Sequence, residues 1–239
     1  KTMIKISQRL QMIAGLVTEG GRLADVGTDH GYIPIWMKQN GRIASAIAMD
    51  VNQGPLDSAK EHIHVCQLDA YIETRMSDGL DALGKEDADT VVIAGMGGAL
   101  TIRILQRGLE KFGRRADGSW DWSVRELILQ PQSEIDEVRR FLREQGFRIV
   151  DEDMLVEDGK YYTAMRAVPA DVVTEDCFGP VLLEKKHPVL KEWMQREICI
   201  QEKILNSLTK AGDAERSKER RQEVEERLRL LEHALRRME

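Results

Sequence analysis

Residues 23–34 read LADVGTDHGYIP, and no other stretch of the chain restricts its possible folds as much. A short apolar run ends at an acid, Asp25. Gly27 follows two residues later and Gly31 four residues after that. About twenty residues on, Ile47-Ala48-Met49 closes a second apolar run with another acid, Asp50, the spacing expected of successive βα units. At the carboxyl end of a strand, one glycine permits a sharp turn and a second lets the backbone approach a ligand. The acid after the next strand can accept both hydroxyls of a ribose. The pattern predicts an α/β sheet with a nucleotide-type site at the ends of its first two strands.

The identity of the first loop residue narrows the ligand. A dinucleotide fingerprint places glycine at the first, third and sixth loop positions, so that the pyrophosphate meets bare amides. Here the first position is Asp25, whose carboxylate repels a pyrophosphate and suits a cation. The common cationic ligand of such loops is S-adenosylmethionine, which carries an ammonium and a sulfonium. The residues therefore read as a methyltransferase.

The rest of the chain agrees with that architecture. Through residue 170, short apolar runs alternate with helical periodicity, the signature of βαβ units. A helix is expected from Ser7 to Val17, and strands at 22–26, 44–49, 71–75, 89–94 and 126–129. Helices are expected at 32–39 and 55–64, and one begins at Ser133 as its cap, with Asp136 three residues on. Phe147 to Val168 then folds as a hairpin about Asp158-Gly159, the strongest turn signal in the sequence. Five strands plus an antiparallel hairpin predict a Rossmann-like, seven-stranded class I methyltransferase sheet, domain 1–170. Pro169 to Pro180 reads as a linker. Beyond it, Leu190, Met194, Ile198, Leu205 and Leu208 recur at helical spacing, as do Val224, Leu228, Leu231, Leu235 and Met238, with a break at Ala211-Gly212-Asp213. An all-α helical hairpin of coiled-coil type, domain 180–239, is the economical account.

Composition excludes more than it selects. No apolar run approaches the ~20 residues of a membrane span, and Lys1 to Lys5 lacks the apolar centre of a signal peptide. The three cysteines are too widely spaced for a zinc site or a disulfide framework, so reduced thiols in a cytoplasm and no metal are expected. The net charge of −6 argues against a nucleic-acid partner at first sight. From Val181 onward, however, 14 Lys or Arg face 12 Asp or Glu, so this segment is +2 and the remainder −8. The local pattern decides.

Four clusters fall at strand ends, where ligands bind in such sheets. The first is Asp25, Gly27, Thr28, Asp29, His30 and Gly31. The second, Asp50, Val51 and Asn52, is placed to hold a ribose. The third, Ser77, Asp78 and Gly79, puts a carboxylate near the exocyclic amine of an adenine. The fourth, Ala94, Gly95, Met96 and Gly97, lies beside the transferred methyl. Any one of these has a structural explanation as a turn or a helix cap. Four in register are hard to obtain from structural needs alone. The glycine-rich fourth cluster lacks the Pro-Pro-aromatic grip of DNA adenine methyltransferases; it leaves bare amides beside a substrate or makes a tight turn.

Four motifs, DVGTDHGYIP (Asp25 to Pro34), VVIAGMGG (Val91 to Gly98), LILQPQ (Leu127 to Gln132) and DEDMLVEDGKYY (Asp151 to Tyr162), resemble the bacterial tRNA adenine-22 N1-methyltransferase family across essentially the whole chain. The resemblance implies a class I domain followed by a coiled coil, S-adenosylmethionine as methyl donor, and a target adenine in the D-arm region of tRNA. Two departures stand out. Gly113 to Ser123 is longer than the family pattern, and its Trp120 and Trp122 would either stack on a base or cover the sheet. Ser77 stands where the family pattern has glycine.

On this reading Asp29, His30 and Tyr32 are the catalytic candidates. Asp29 would stabilise the charge forming on the base, and His30 and Tyr32 would orient or stack it. The structural alternatives are that Asp29 caps the following helix and Tyr32 packs against it. tRNA contacts would come from Arg103, Arg107, Lys111, Arg114 and Arg115, and from Lys185, Lys186, His187, Lys218, Arg220 and Arg221 in the tail. The coiled coil would dock tRNA or make a weak dimer of an otherwise monomeric chain. A small-molecule methyltransferase and a non-catalytic RNA-binding protein are the competing readings, and an NAD-dependent oxidoreductase is more distant.

Overall fold

The computed structural model describes residues 3–115, 118–170, 178, 186, 188–210 and 215–238. The chain forms two compact units, Lys1–Ala170 and Asp171–Glu239.

The first unit is built on a seven-stranded sheet, in the element order α1 (Gln8–Leu16), β1 (Arg22–Val26), α2 (Tyr32–Gln39), β2 (Ser45–Asp50), α3 (Gln53–Val65), β3 (Ile72–Met76), β4 (Thr90–Met96), α4 (Gly98–Phe112), β5 (Glu126–Pro131), α5 (Ile135–Glu144), β6 (Phe147–Glu157) and β7 (Lys160–Pro169). The strand order is β3-β2-β1-β4-β5-β7-β6, with β7 antiparallel to both its neighbours. The Rossmann-like, seven-stranded sheet expected from the sequence is the one observed.

The central strands are apolar on both faces because both faces are covered. Alternate residues divide between two cores. Val91, Ile93, Leu127 and Leu129 meet Leu105, Leu109 and Phe112 of α4 and Val138 and Leu142 of α5. Val92 and Ile128 point the other way, to Met12, Ile13 and Leu16 of α1 and Ile33, Ile35 and Met37 of α2. The hairpin turn Asp158-Gly159 takes positive φ at both positions, 50° and 73°, which matches the twist of the strands it joins.

One expectation changes. Ser133 does not cap α5. The N-cap of that helix is Glu134, in left-handed conformation at φ 50° and without a side-chain cap bond. Ser133 and Glu134 instead serve α4. Ser133 Oγ accepts from the amide of Gly98 at 3.2 Å, and Glu134 Oε2 accepts from that of Ala99 at 3.0 Å. The unsatisfied amides and positive end of α4 draw both oxygens across. The approach is so close that a Cβ on Gly98 would lie 2.5 Å from the Ser133 carbonyl oxygen.

The long segment between α4 and β5 takes the second of its two expected readings. Trp120 and Trp122 are buried in the core. Trp122 packs on Phe112 at 4.7 Å, and Trp120 stacks on Phe147 at 5.9 Å. They cover the sheet and are not offered to a base; residues 116 and 117 of that segment lie outside the described set.

Among its described residues the second unit holds two long helices, α6 (Pro188–Lys210) and α7 (Glu215–Arg237). Leu190 and Met194 of α6 bury against Leu231, Ala234 and Met238, with Phe178 closing the cluster. Apart from Phe178, the proposed linker after Ala170 lies outside the described residues, as do Lys185, His187 and the break at 211–213.

Candidate active site

The chain winds outward from β1 through β2 to β3 and then returns to β4 on the other side of β1. The reversal leaves a crevice at the carboxyl ends of β1 and β4, where no crossover covers the sheet. A cavity of about 620 Å³ occupies it, within the range of small-molecule sites.

All four sequence clusters reach this cavity. Asp25, Gly27, Thr28, Asp29 and Tyr32 line it from β1 and the loop after it. Asp50, Val51 and Asn52 line it after β2, Ser77, Asp78 and Gly79 after β3, and Ala94, Gly95 and Met96 from the end of β4. Three candidates do not line it. Gly31 is the N-cap of α2, in left-handed conformation at φ 73°. Gly97 is the N-cap of α4 and lies against Ser133. The His30 ring turns from the cavity to Tyr32, at 5.3 Å between centroids.

The acids are held in defined ways. Asp25 is buried, and its Oδ2 accepts from the Thr28 hydroxyl at 2.6 Å. Burial pushes its carboxyl up to about 6; the Thr28 bond opposes that shift, while Asp50 and Asp29 add to it. Asp50, also buried, accepts from the amide of Asn52 at 2.9 Å. Gly27 sits at φ 72°, a conformation that strains any residue with a Cβ, and a Cβ there would also meet the methyl of Met96 at 2.2 Å, so that the flexible Met96 side chain would have to shift.

Asp29 does not cap α2, because the N-cap position belongs to Gly31 and no side-chain cap bond is made. The Asp29 side chain is 73% exposed, and its carboxylate lies 3.4 Å from Nε2 of His30. Tyr32 is exposed at the rim, not packed away.

Sequence reasoning missed Arg9, Leu10, Ile33, Leu100, Ile104 and Gln132, which also line the cavity. Gln132 was visible as the last residue of LILQPQ, and Leu100 and Ile104 as apolar positions of the amphipathic α4. Arg9 carried no signal, since α1 precedes β1 in the chain and only packing brings it here. Its guanidinium donates to Gln130 Oε1 at 2.9 Å and lies over the Tyr162 ring at 5.6 Å. The lining thus combines four carboxylates with one guanidinium.

Several expected RNA-binding cations are engaged elsewhere. Arg107 pairs with Asp78 and Asp81, and Lys111 donates to the carbonyls of Leu80 and Asp81. Arg115 pairs with Asp121, and Arg114 lies over Trp120 at 4.2 Å. Arg103 is exposed on α4. Among the described residues no helix is long and apolar enough to cross a membrane, and no group of His, Cys, Asp and Glu is arranged to hold a metal.

A methyltransferase-domain family model matches residues 6–165. The chain is 33% identical to the tRNA (adenine(22)-N(1))-methyltransferase of Bacillus subtilis, over 97% of this chain and 98% of that one. The crystal structure of the B. subtilis M1A22 tRNA methyltransferase TrmK superposes with a TM-score of 0.62 at 32% identity, covering 97% and 99% of the two chains. A putative tRNA (m1A22) methyltransferase of Streptococcus pneumoniae, solved in complex with S-adenosyl-L-methionine, gives 0.64 at 34% identity over 97% and 100%. With this sheet, this cavity and these relatives, the chain belongs to the tRNA (adenine-22-N1)-methyltransferase family.

Proposed function

We propose that this protein methylates N1 of adenine 22 in tRNA, with S-adenosylmethionine as the donor. The observation that carries the reading is the cavity at the β1/β4 switch point, with Asp25 and Asp50 buried in its wall and Tyr32 at its rim, in a chain with full-length similarity to the B. subtilis enzyme.

The lining fits the donor. Four carboxylates suit a ligand with an ammonium and a sulfonium, and the single guanidinium of Arg9 suits its one carboxylate. Asp25 would hold the ammonium, Asp50 the ribose hydroxyls and Asp78 the adenine amine, with Val51, Gly79, Ala94, Gly95 and Met96 shaping the walls. The donor, when bound, supplies an electrophilic methyl group.

The chain's own task is positioning. Adenine N1 attacks through an in-plane lone pair and needs no base to deprotonate it. What the protein adds is in-line alignment and a negative environment for the cation forming on the base. Asp29, exposed at the mouth, supplies that charge, and Tyr32 offers a ring face to the base. His30 acts from behind Tyr32. Because N1 faces the partner strand in a paired stem, the base must leave its stack to enter, at a cost of a few kcal/mol. The target lies in the D-arm region. Lys218, Arg220 and Arg221 of α7 join Arg103 in reading the phosphate backbone, residues 1–170 and 180–239 act as catalytic and docking domains, and the enzyme works in the cytoplasm as a monomer or weak dimer.

The test is methyl-labelled S-adenosylmethionine with two tRNA transcripts, one carrying adenine at position 22 and one guanine. Label in the first alone, recovered as 1-methyladenosine, is the expected result. Label in both moves the target base, and label in neither, with donor binding intact, ends the tRNA reading.

A further inference from the structure

His62 belongs to none of the strand-end clusters. It lies half-buried on α3, thirty-two residues from the loop it touches. Its Nδ1 is 3.0 Å from the carbonyl oxygen of His30. A carbonyl only accepts, so Nδ1 carries the proton and donates. The same imidazole stacks on Tyr32, with ring centroids 5.5 Å apart and planes 18° from parallel. The His30 ring closes the triangle at 5.3 Å from Tyr32 and 5.7 Å from His62.

The loop that these contacts hold is one that needs holding. Asp29 adopts left-handed backbone at φ 54°, an unfavourable state for a residue with a Cβ. Such a conformation persists where surrounding contacts over-determine it. One turn before His62, Ala59 packs so tightly on the loop that a Cβ on Gly31 would lie 3.3 Å from its own Cβ. Ala59 thus sets the distance between α3 and the loop, and His62 sets the direction of the His30 peptide. That peptide links the strained Asp29 to the N-terminus of α2, which carries Tyr32.

We propose that His62 is a positioning residue for methyl transfer. Through its bond to the His30 carbonyl and its stack on Tyr32, it holds the Asp29–Tyr32 loop in the geometry that presents Asp29 and Tyr32 to the entering base. This rests on the proposed roles of Asp29 and Tyr32. His62 is not a catalytic residue; it acts only through the loop.

The test compares full-length His62→Ala, His62→Asn and His62→Phe with the wild type, reading kcat and KM for tRNA, donor affinity and thermal midpoint. Asn places an amide N–H where Nδ1 stood and lacks the ring; Phe keeps a ring and lacks the donor. His62→Ala is expected to lower kcat about tenfold, since small misplacements of reacting groups cost rates of this order, with donor affinity changed less than about threefold. His62→Asn recovers most of kcat and His62→Phe does not. Unchanged kcat in His62→Ala overturns the proposal. So does an equal loss in all three variants that tracks donor affinity and thermal midpoint, which would mark a purely structural residue. Imidazole nitrogen NMR of the wild type without tRNA should show the Nδ1–H tautomer at His62. The Nε2–H tautomer would overturn the hydrogen bond itself, and this arm stands whichever base the enzyme methylates.

Discussion

Arg107 on α4 donates to Asp78 at the end of β3, Nη1 to Oδ2, at 2.7 Å, and its second nitrogen pairs with Asp81. A basic residue that looks like a phosphate contact in the sequence therefore ties down an acid of the donor cavity. Both side chains are well exposed, so the pair is screened and its worth is modest. Arg107→Ala is expected to weaken S-adenosylmethionine binding about two- to fivefold. The salt dependence of tRNA binding should not change, whereas loss of a phosphate contact would reduce its slope by about one. Calorimetric titration of the donor, with tRNA binding at several salt concentrations, separates the two.

Asp25 makes donor binding depend on pH. Its carboxyl titrates at about 6 in the folded protein, against 3.8 ordinarily, chiefly because of burial. With its charge facing the donor's ammonium, affinity should level off above about pH 7 and be roughly halved at pH 6. Below that it should fall up to about tenfold per pH unit. Asp25→Asn is expected to bind weakly at every pH and to flatten the profile.

The same shift has a stability consequence of defined sign. The folded state holds the proton more tightly than the unfolded chain between about pH 4 and 6, so stability without donor falls as pH rises through that window. The loss is about 2–3 kcal/mol. Urea unfolding at pH 4.5 and 7, with Asp25→Asn as reference, measures it.

Asp29→Ala should act on the rate and not on the donor. The side chain is exposed at the mouth and makes no cap bond to α2. A loss of about 10- to 100-fold in kcat is expected, the scale of removing one preorganised charge, with donor affinity within a few-fold. Unchanged turnover would remove Asp29 from the mechanism.

Trp122→Ala tests the covering role of the segment between α4 and β5. The ring is buried against Phe112, so its removal should cost about 3–5 kcal/mol of stability. At a temperature where the variant stays folded, tRNA affinity should match the wild type. A selective loss of tRNA binding at full stability would return the residue to the RNA interface.

A chain ending at Pro180 is expected to bind S-adenosylmethionine and to lose tight tRNA binding, as read by filter retention. Retained tRNA affinity would assign docking to the first unit alone.

Much of the architecture was legible along the chain because it rests on local signals. The bounds of β1 and α2 and both sides of the Asp158-Gly159 hairpin were readable from apolar runs, glycines and turn chemistry, whose information spans only a few residues. The four strand-end clusters were readable for the same reason: each follows its strand immediately, and a parallel sheet brings all such ends to one edge. What tertiary structure alone decided is which distant side chains meet there. Arg9 enters the cavity through packing of α1, Ser133 caps a helix that precedes it in the chain, and His62 reaches back to the loop after β1. Arg107 is turned from a free cation into the partner of Asp78. Hydrogen bonds and ion pairs between residues 29 to 35 positions apart depend on how the layers pack, and hydrophobic periodicity in one segment holds no record of its partner in another.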